Sequence, residues 1–274
     1  MSFEILYHGL IDNVIQFGEK RQSRAGPTRQ LFGQTLTIYD VAQGVFPVLT
    51  SRKIFYKPVF GELAAFIRGA TDLETFKKFG CNYWDENAKA WEYNKSNSPE
   101  EYEVGQIYGA QWRDWQGRGH DQLRTLIDGL ITQPYSRRHL LTAYDPTEKW
   151  QCLPPCHILT QFNVSKLGAL DCQVYMRSVD LCVGLPSDII LYAALLILVA
   201  QETDLHPGKL IFAFGDTHVY ENHVQTWLTE QAGRTLHKLP YYALNKARLF
   251  DFEPNQIELI EYNHHEKVSY AFNV

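Results

Sequence analysis

The sequence predicts an α+β fold. Helical and extended hydrophobic patterns are mixed along its 274 residues, without the regular strand–helix–strand alternation that is typical of a purely parallel sheet. Apolar residues make up 45% and charged residues 21% of the chain, a balance typical of a globular protein with a substantial core. No internal repeat and no linker-like stretch is visible, so we expect residues 1–274 to form a single domain.

The individual elements follow from the spacing of apolar residues along the chain. Apolar positions three and four apart predict helices over residues 3–17, 59–67 and 122–131. Alternation and β-branched residues predict strands over residues 31–39, 139–144, 157–164, 169–177 and 209–214. Gly26 and Pro27 predict a loop over residues 23–29, and the polar segment 92–103 is expected to be a surface insertion. Ser187 is predicted to cap a long apolar helix, with Asp188 in its first turn.

Charge and cysteine usage argue against several classes of function. A net charge of −5 argues against broad binding to duplex nucleic acid, although it is compatible with one cationic pocket for a phosphate. The five cysteines are odd in number and irregularly spaced, which favours a reduced, cytoplasmic protein over a disulfide framework. Cys152 and Cys156 have no second pair to complete a zinc site, so no metal is expected. The apolar run 189–200 is shorter than the ~20 residues that span a bilayer and predicts a buried helix.

The most informative segment is the run Leu153-Pro154-Pro155-Cys156-His157. Two prolines fix the backbone immediately before a cysteine that opens a predicted strand. Cys156 is either a buried structural cysteine or a nucleophile, and the segment alone leaves both interpretations open. A nucleophilic cysteine needs cationic or hydrogen-bonding neighbours that favour its thiolate. The candidates for that role are Arg24, Arg137, Arg138 and Arg177.

Other polar residues are of types that can bind a phosphate or sugar hydroxyls. The pair Arg137-Arg138 lies in a predicted turn, as either a solvated surface or a bidentate grip on a phosphate. Arg177-Ser178 ends a predicted strand and could hold another edge of the phosphate. His218 and Tyr220 are two residues apart, so on an extended segment both would face the same side and could bind sugar hydroxyls.

Taken together, these segments resemble the thymidylate synthase family. The resemblance runs from about residue 5 to the last residue, and its motifs occur in the family's order. It rests on Arg24, Trp84-Asp85, residues 105–113, Ser136-Arg137-Arg138, Pro155-Cys156-His157, Gln161-Phe162, and residues 175–180, 184–186 and 215–220. It implies a single thymidylate synthase-like catalytic domain over residues 1–274, with a mixed sheet, flanking helices and a homodimeric assembly.

The resemblance also implies a chemical mechanism. The cysteine that matches Cys156 adds to C6 of the pyrimidine, which makes C5 a carbon nucleophile. C5 then attacks the one-carbon unit of 5,10-methylenetetrahydrofolate, which is the co-substrate. Glu62 matches the acid/base carboxylate, and Tyr108 matches an accessory group near the proton transfer. A purely structural role for Cys156 is thereby disfavoured.

The family's binding residues have matches here as well. The nucleotide positions correspond to Arg24, Arg137, Arg138, Gln161, Arg177, Ser178, Asp180, Asp188, His218 and Tyr220. The arginine pair is implied to come from the second subunit, so each active site is expected to be shared across a dimer. The folate positions correspond to Trp84, Asp180, Gly184 and the C-terminal Val274.

Three departures from the family pattern bear on function. The loop after Arg24 reads Ala25-Gly26-Pro27-Thr28, and Asn87 replaces the second tryptophan of the family's Trp-Asp-Glu-Trp run. Asp188 replaces an asparagine, as in the deoxycytidylate hydroxymethylases of the superfamily. A carboxamide complements the N3–H and O4 of uracil, whereas a protonated carboxyl, or a carboxylate facing an N3-protonated ring, complements cytosine. The alternative is that Asp188 only favours the N-terminal end of its helix.

We therefore expect one-carbon transfer to C5 of dCMP or CMP. The polar Asn87 is expected to admit the water that gives a 5-hydroxymethyl product. One alternative is a C5-methyltransferase that makes 5-methyl-dCMP or dTMP. Another is a non-catalytic regulator that binds nucleotide or RNA, although the presence of both Glu62 and Cys156 argues against it. Neither a membrane nor a stable nucleic-acid partner is expected.

Overall fold

The computed structural model describes residues 2–97, 101–245 and 248–271, and a mixed sheet lies at its centre. The strands are β1 (Glu19–Ser23), β2 (Gly26–Phe32), β3 (Thr35–Ile38), β4 (Leu140–Thr142), β5 (His157–Val164), β6 (Ala169–Asp180) and β7 (His206–Tyr220). Their order is β1-β2-β7-β6-β5-β4, and β3 pairs with β7 as well. Strands β6 and β7 are parallel, whereas the other pairs are antiparallel. A second, two-stranded sheet joins β8 (Tyr241–Leu244) to β9 (Ile257–Ile260).

Helices flank this sheet and complete the predicted α+β architecture, which is confirmed. They are α1 (Phe3–Phe17), α2 (Tyr56–Arg68), α3 (Leu73–Lys78), α4 (Asp85–Ala90), α5 (Glu92–Asn97), α6 (Tyr108–Arg113), α7 (Gln122–Thr132), α8 (Gly184–Glu202) and α9 (Glu221–Thr226). Helix α1 begins at Ser2, whose hydroxyl accepts the N–H of Glu4 at 3.4 Å, and α7 begins at Asp121, whose carboxylate accepts the N–H of Arg124 at 2.9 Å. The predicted helices α1, α2 and α7 are therefore present with nearly the predicted bounds.

The long apolar helix α8 is the centre of the core. It packs against β6, β7 and α2, and its residues from Ile189 to Ala200 are all buried. Its length and hydropathy alone would suit a membrane span, but 78% of its most apolar window is buried inside the protein. A helix that is apolar on every side needs such complete burial, so α8 is a core helix, as the sequence predicts.

The predicted loop over residues 23–29 is wrong. Residues Arg24 and Ala25 form a two-residue turn between β1 and β2, and Gly26 and Pro27 belong to β2. Gly26 has φ +127°, which residues with a Cβ rarely adopt, so the hairpin depends on this glycine. Pro27 is tolerated because it lies near the start of β2, before the register with β7 begins at Thr28.

Two further boundary predictions need correction. The strand predicted over residues 31–39 is interrupted at Gly33, where φ is +78°, so the chain enters β3 as a separate strand on β7. Ser187 does not cap α8, because the helix begins three residues earlier, at Gly184. Pro186 lies in the first turn, where its missing N–H costs no helical hydrogen bond. The free N–H groups of Cys182 and Val183 just before the helix are instead directed at Asp180, at 2.9 and 3.4 Å.

The polar segment 92–103 is more integrated than a surface insertion. Residues 92–97 form α5, and Asn94 is buried, where its amide donates to the carbonyls of Ala88 and Glu103 at 2.8 and 2.7 Å. Residues 98–100 of this segment lie outside the described residues. The buried side-chain amide of Asn94 therefore anchors this segment to the rest of the protein, although the segment has no apolar periodicity.

Candidate active site

A cavity of about 1150 Å³ opens where the carboxyl ends of β6 and β7 meet the N-terminus of α8. The predicted site residues that line it are Arg24, Glu62, Trp84, Tyr108, Cys156, Arg177, Ser178, Asp180, Gly184, Asp188, His218 and Tyr220. These residues are as far apart in the sequence as positions 24 and 220. The parallel pairing of β6 with β7 brings the residues at the ends of these two strands side by side. Ser178 lies opposite Asp216 and Asp180 lies opposite His218, so their side chains reach the same edge of the sheet.

Three predicted residues that the structure describes do not line this cavity. Gln161 is exposed on β5, because the alternation of the strand places it on the face opposite to the buried Thr160. Arg137 and Arg138 are exposed in the connection between α7 and β4 and are not among the residues that line the cavity of their own chain. Val274 lies outside the described residues.

Cys156 is held by two neighbouring side chains at the start of β5. Its backbone N–H donates to the hydroxyl of Tyr108 at 2.8 Å. The guanidinium of Arg177 donates to the carbonyls of Pro155 and Pro154 at 2.8 and 2.7 Å, so it fastens the turn that carries the cysteine. The Tyr108 backbone has φ +24°, an uncommon value for a residue with a side chain. These contacts fix the position of the thiol relative to the cavity.

The electrostatic surroundings of Cys156 only partly match the sequence-based expectation. Burial raises the pKa of the Cys156 thiol, and the charge of Asp188 raises it further, whereas Arg177 lowers it. The effect of burial is the largest of these, so the pKa lies above its ordinary value despite the cation. Arg177 therefore reduces the free-energy cost of forming the thiolate, but its charge alone does not make the thiolate the favoured form.

Glu62 lies in the middle of α2 and faces the cavity. Burial raises its pKa from 4.5 to about 8, and the charge of Asp188 contributes in the same direction. The indole Nε1–H of Trp84 donates to Oε1 at 2.8 Å, and this hydrogen bond lowers the pKa. A carboxyl with a pKa near neutrality can both give and take a proton under ordinary conditions, which suits acid/base catalysis.

Asp188 belongs to a buried polar chain that the sequence did not predict. Nε2 of His157 lies 3.3 Å from Oδ1 of Asp188, and Nδ1 of the same ring is 2.8 Å from the hydroxyl of Tyr192. The His157 ring stacks on Tyr108, with 4.2 Å between ring centroids. His157 follows the candidate nucleophile directly, but nothing in the sequence distinguishes it from an ordinary core histidine.

The opposite end of the cavity is cationic and polar. Arg24 reaches it from the turn between β1 and β2, and Arg177-Ser178 reaches it from β6. Nδ1 of His218 is 2.7 Å from Oδ1 of Asp216, which leaves the other ring nitrogen available to a ligand. The His218 and Tyr220 rings lie edge to face, 5.1 Å apart. The predicted proximity of these two side chains is therefore present in the structure.

The sequence comparison decides to which family this site belongs. Residues 6–274 match the family model described as thymidylate synthase. The chain belongs to the thymidylate synthase family. A protein named thymidylate synthase from Staphylococcus haemolyticus (strain JCSC1435) is 33% identical over 317 aligned positions, which cover 97% of each chain. The protein is thus an enzyme of the thymidylate synthase family, a one-carbon transferase. Such enzymes act on a pyrimidine nucleotide with methylenetetrahydrofolate as co-substrate.

Several residues of this family member's cavity were not predicted. The additional lining residues include Arg52, Lys53, Phe55, Asn82, Tyr83, Glu86 and Lys267. The adjacent Arg52 and Lys53 are the only sequence signal that could have indicated some of them, and adjacent basic residues are too common to be specific. Arg52 is almost fully buried, donates to the carbonyl of Cys182 and lies over the ring of Tyr270, 5.0 Å from its centroid. The C-terminal segment therefore contributes to the cavity wall.

One group near the cavity bears on the expectation that no metal is bound. Among the described residues, Asp180, Cys182 and His223 place one ligand atom each within 4.8 Å of one another. Oδ1 of Asp180 already accepts the N–H of Cys182, and Nδ1 of His223 lies 3.8 Å from that same oxygen. The side chains thus form a compact polar cluster beneath the C-terminal segment.

Proposed function

We propose that the protein transfers a one-carbon unit from methylenetetrahydrofolate to C5 of a cytosine nucleotide, dCMP or CMP, giving the 5-hydroxymethyl product. The observation that carries this proposal is Asp188, which lines the cavity at a position where, by the resemblance, thymidylate synthases carry an asparagine. We place the enzyme in the cytoplasm, where its five free cysteines would stay reduced.

The proposed chemistry starts at Cys156. Its sulfur forms a bond with C6, after which C5 attacks the methylene group carried by the folate. Loss of tetrahydrofolate and of the C5 proton leaves an exocyclic methylene at C5, and water adds to that carbon. Cys156 is then expelled from C6. Glu62 is suited to the proton transfers because its raised pKa lies close to neutrality.

The choice of base rests on the donor and acceptor pattern of residue 188. Cytosine offers an acceptor at N3 and an amino donor at C4, the reverse of uracil. A protonated Asp188, or its carboxylate facing an N3-protonated ring, complements cytosine. A mismatch would leave buried polar groups unsatisfied, at a cost of about 1–3 kcal/mol each. The contact of 3.3 Å between Asp188 and His157 supports this proposal, since it gives the carboxyl a defined orientation.

The choice of product rests on access of water to the C5 substituent. Asn87 is half-buried in the cavity wall, and Asn82 and Glu86 line the same side. These polar groups can hold water where a tryptophan would exclude it. The competing proposal is C5 methylation, giving 5-methyl-dCMP or dTMP. The similarity of this chain to the thymidylate synthase named above, which extends over nearly the whole length of both chains, favours methylation.

We further propose that the enzyme is a homodimer whose sites are completed by Arg137 and Arg138 of the second subunit. Both arginines are exposed and are not among the residues that line the cavity of their own chain, as expected of residues that act in trans. Leu159 and Tyr175 are cross-strand neighbours on β5 and β6, and both are exposed, so this face of the sheet carries an apolar pair that a second subunit could cover.

Mass spectrometry of the products from CMP, dCMP, UMP and dUMP, each with methylenetetrahydrofolate, tests the proposal. We expect a 5-hydroxymethyl product from a cytosine nucleotide. Asp188→Asn should shift kcat/KM toward the uracil nucleotide by roughly ten- to several-thousand-fold, because two groups are mispaired. A wild-type preference for dUMP would show a divergent thymidylate synthase instead, and absence of any turnover would favour a regulator.

A further inference from the structure

A single buried histidine joins three parts of the cavity that are separate in sequence. His223 follows β7 in α9 and is fully buried. Its Nε2 lies 2.7 Å from the carbonyl oxygen of Ala271, in the C-terminal segment. Its Nδ1 lies 3.8 Å from Oδ1 of Asp180, the carboxylate at the end of β6. Its ring also lies edge to face with Tyr220, at 5.4 Å between centroids.

The contact with Ala271 determines which ring nitrogen of His223 carries a proton. A backbone carbonyl can only accept a hydrogen bond, so Nε2 must be the donor. Nδ1 then faces the Asp180 carboxylate, and it either presents a lone pair there or, in the imidazolium form, a second N–H. The negative charge of Asp180 therefore faces the ring that holds the carbonyl of Ala271.

The segment that His223 contacts forms part of the cavity wall. Lys267, Val268 and Ser269 line the cavity, and Val268 is 5% exposed. Tyr270 donates its hydroxyl to Oε1 of Gln231 at 2.7 Å. The neighbouring Glu266 carbonyl accepts from Arg234 at 2.7 Å. Several side chains therefore hold this segment in place, and His223 also faces a carboxylate of the cavity.

We propose that His223 is a positioning residue that latches the C-terminal segment 267–271 to Asp180 and so closes the wall of the cavity on its folate side. The assignment of that side to folate rests on the proposed function, whereas the latch itself does not. Because Tyr220 packs on the same ring, the latch also connects the segment with the sugar-facing end of β7. Loss of the Nε2 donor should release the segment, and it removes no side chain that contacts the reacting atoms.

Limited proteolysis with trypsin measures release of the segment directly. Lys267 is exposed, and cleavage after it removes the short peptide 268–274, which mass spectrometry detects. His223→Leu should be cleaved there about tenfold faster than the wild type, because it loses one hydrogen bond worth about 1.4 kcal/mol. His223→Gln keeps an N–H donor and should remain within about twofold of the wild type. Cleavage of His223→Leu at the wild-type rate, or equal rates for both variants, would overturn the latch.

A double-mutant cycle tests the connection with Asp180. Asp180→Asn keeps an oxygen that can accept the N–H of Cys182 but removes the negative charge that faces His223. It should accelerate cleavage in the wild-type background and have no effect in His223→Leu, which a merely structural role of His223 would not produce. Equal acceleration in both backgrounds contradicts the connection. Thermal melting of each variant establishes that it is folded before the comparison is made.

Steady-state kinetics separates the latch from the proposed function. With dCMP saturating, His223→Leu should raise KM for methylenetetrahydrofolate about tenfold while changing KM for the nucleotide by less than about twofold. Faster cleavage with no selective effect on the folate KM would refute the assignment of the latched wall to folate. If no folate-dependent turnover of any pyrimidine nucleotide is found, the proposed function fails, and the proteolysis results still decide whether the latch exists.

Discussion

The indole Nε1–H of Trp84 donates a 2.8 Å hydrogen bond to Oε1 of Glu62, so the tryptophan contacts the carboxyl with the raised pKa. Trp84 lies at the start of α4, Glu62 lies in α2, and the bond joins these two helices at the cavity wall. The bond favours the carboxylate, whereas burial favours the neutral acid, and burial prevails. The balance between the two sets the proton affinity of the proposed catalytic acid.

Replacing Trp84 should shift the pH dependence of catalysis. Trp84→Phe removes the donor that lowers the pKa of Glu62, so that pKa should rise from about 8 by about one further unit. The alkaline limb of kcat/KM against pH should move upward with it, if the protonated acid is required. Trp227→Phe is the matched control, because the Trp227 indole donates to Asp12 at 2.8 Å outside the cavity. A limb that stays in place or moves downward contradicts this account.

Glu62 should also make the stability of the protein depend on pH. Its pKa is raised in the folded state, so ionisation costs folding free energy increasingly as pH rises from 4.5 to about 8. Glu62→Gln should therefore unfold at the same denaturant concentration as the wild type at pH 4. At pH 9 it should be more stable than the wild type by on the order of 5 kcal/mol. A stability difference that is independent of pH would show that the shift is small.

Cys156→Ala should abolish turnover and leave nucleotide binding largely intact. The sulfur forms the proposed bond with C6, whereas the phosphate and sugar contacts come from other residues. Cys152→Ala is the matched control, since Cys152 is half-buried four residues upstream and should remain active. Turnover of Cys156→Ala within tenfold of the wild type would exclude it as the nucleophile. Calorimetric titration with dCMP measures the binding separately.

Mixing two inactive variants should restore activity if sites are shared between subunits. In a hybrid of Cys156→Ala and Arg137→Ala chains, one site carries both substitutions and the other carries neither. Random assortment into dimers then gives about a quarter of the wild-type activity. If each chain supplies its own arginine, no site is repaired and the mixture stays inactive. Sedimentation of the wild type as a monomer at micromolar concentration would equally contradict the dimer.

Asn87→Trp should shift the product from hydroxymethyl toward methyl. The indole would fill the part of the wall where Asn87 now offers an amide, and so exclude water from the C5 substituent. Asn87→Gln keeps the amide and should leave the product unchanged. The measurement is the ratio of the two products by mass spectrometry, and an unchanged ratio for Asn87→Trp would show that access of water is controlled elsewhere.

The sequence predicts some helices and strands well and others not at all. The helices α1, α2 and α7 and the strand β5 could be predicted because each buries one periodic set of apolar residues. The hairpin between β1 and β2 could not, because β1 is entirely polar and fully exposed and β2 begins with Gly26 and Pro27, which are typical of a loop. This segment is extended because β2 pairs with β7, which is distant in the sequence. The local composition of the segment does not indicate that pairing.

The sequence by itself determined the family and most of the residues of the candidate site, because its motifs combine uncommon residue types in a fixed order. The apolar surroundings of Glu62 in the sequence indicate a raised pKa, but only the tertiary structure decided how far burial shifts each group. The pKa of Cys156 is raised because burial outweighs Arg177, and that of Glu62 reaches about 8 because α2 carries it out of water. The contact of His223 with Ala271 likewise depends on packing between segments 48 residues apart. Burial and distance are properties of the folded chain, so no pattern of neighbouring residues specifies them.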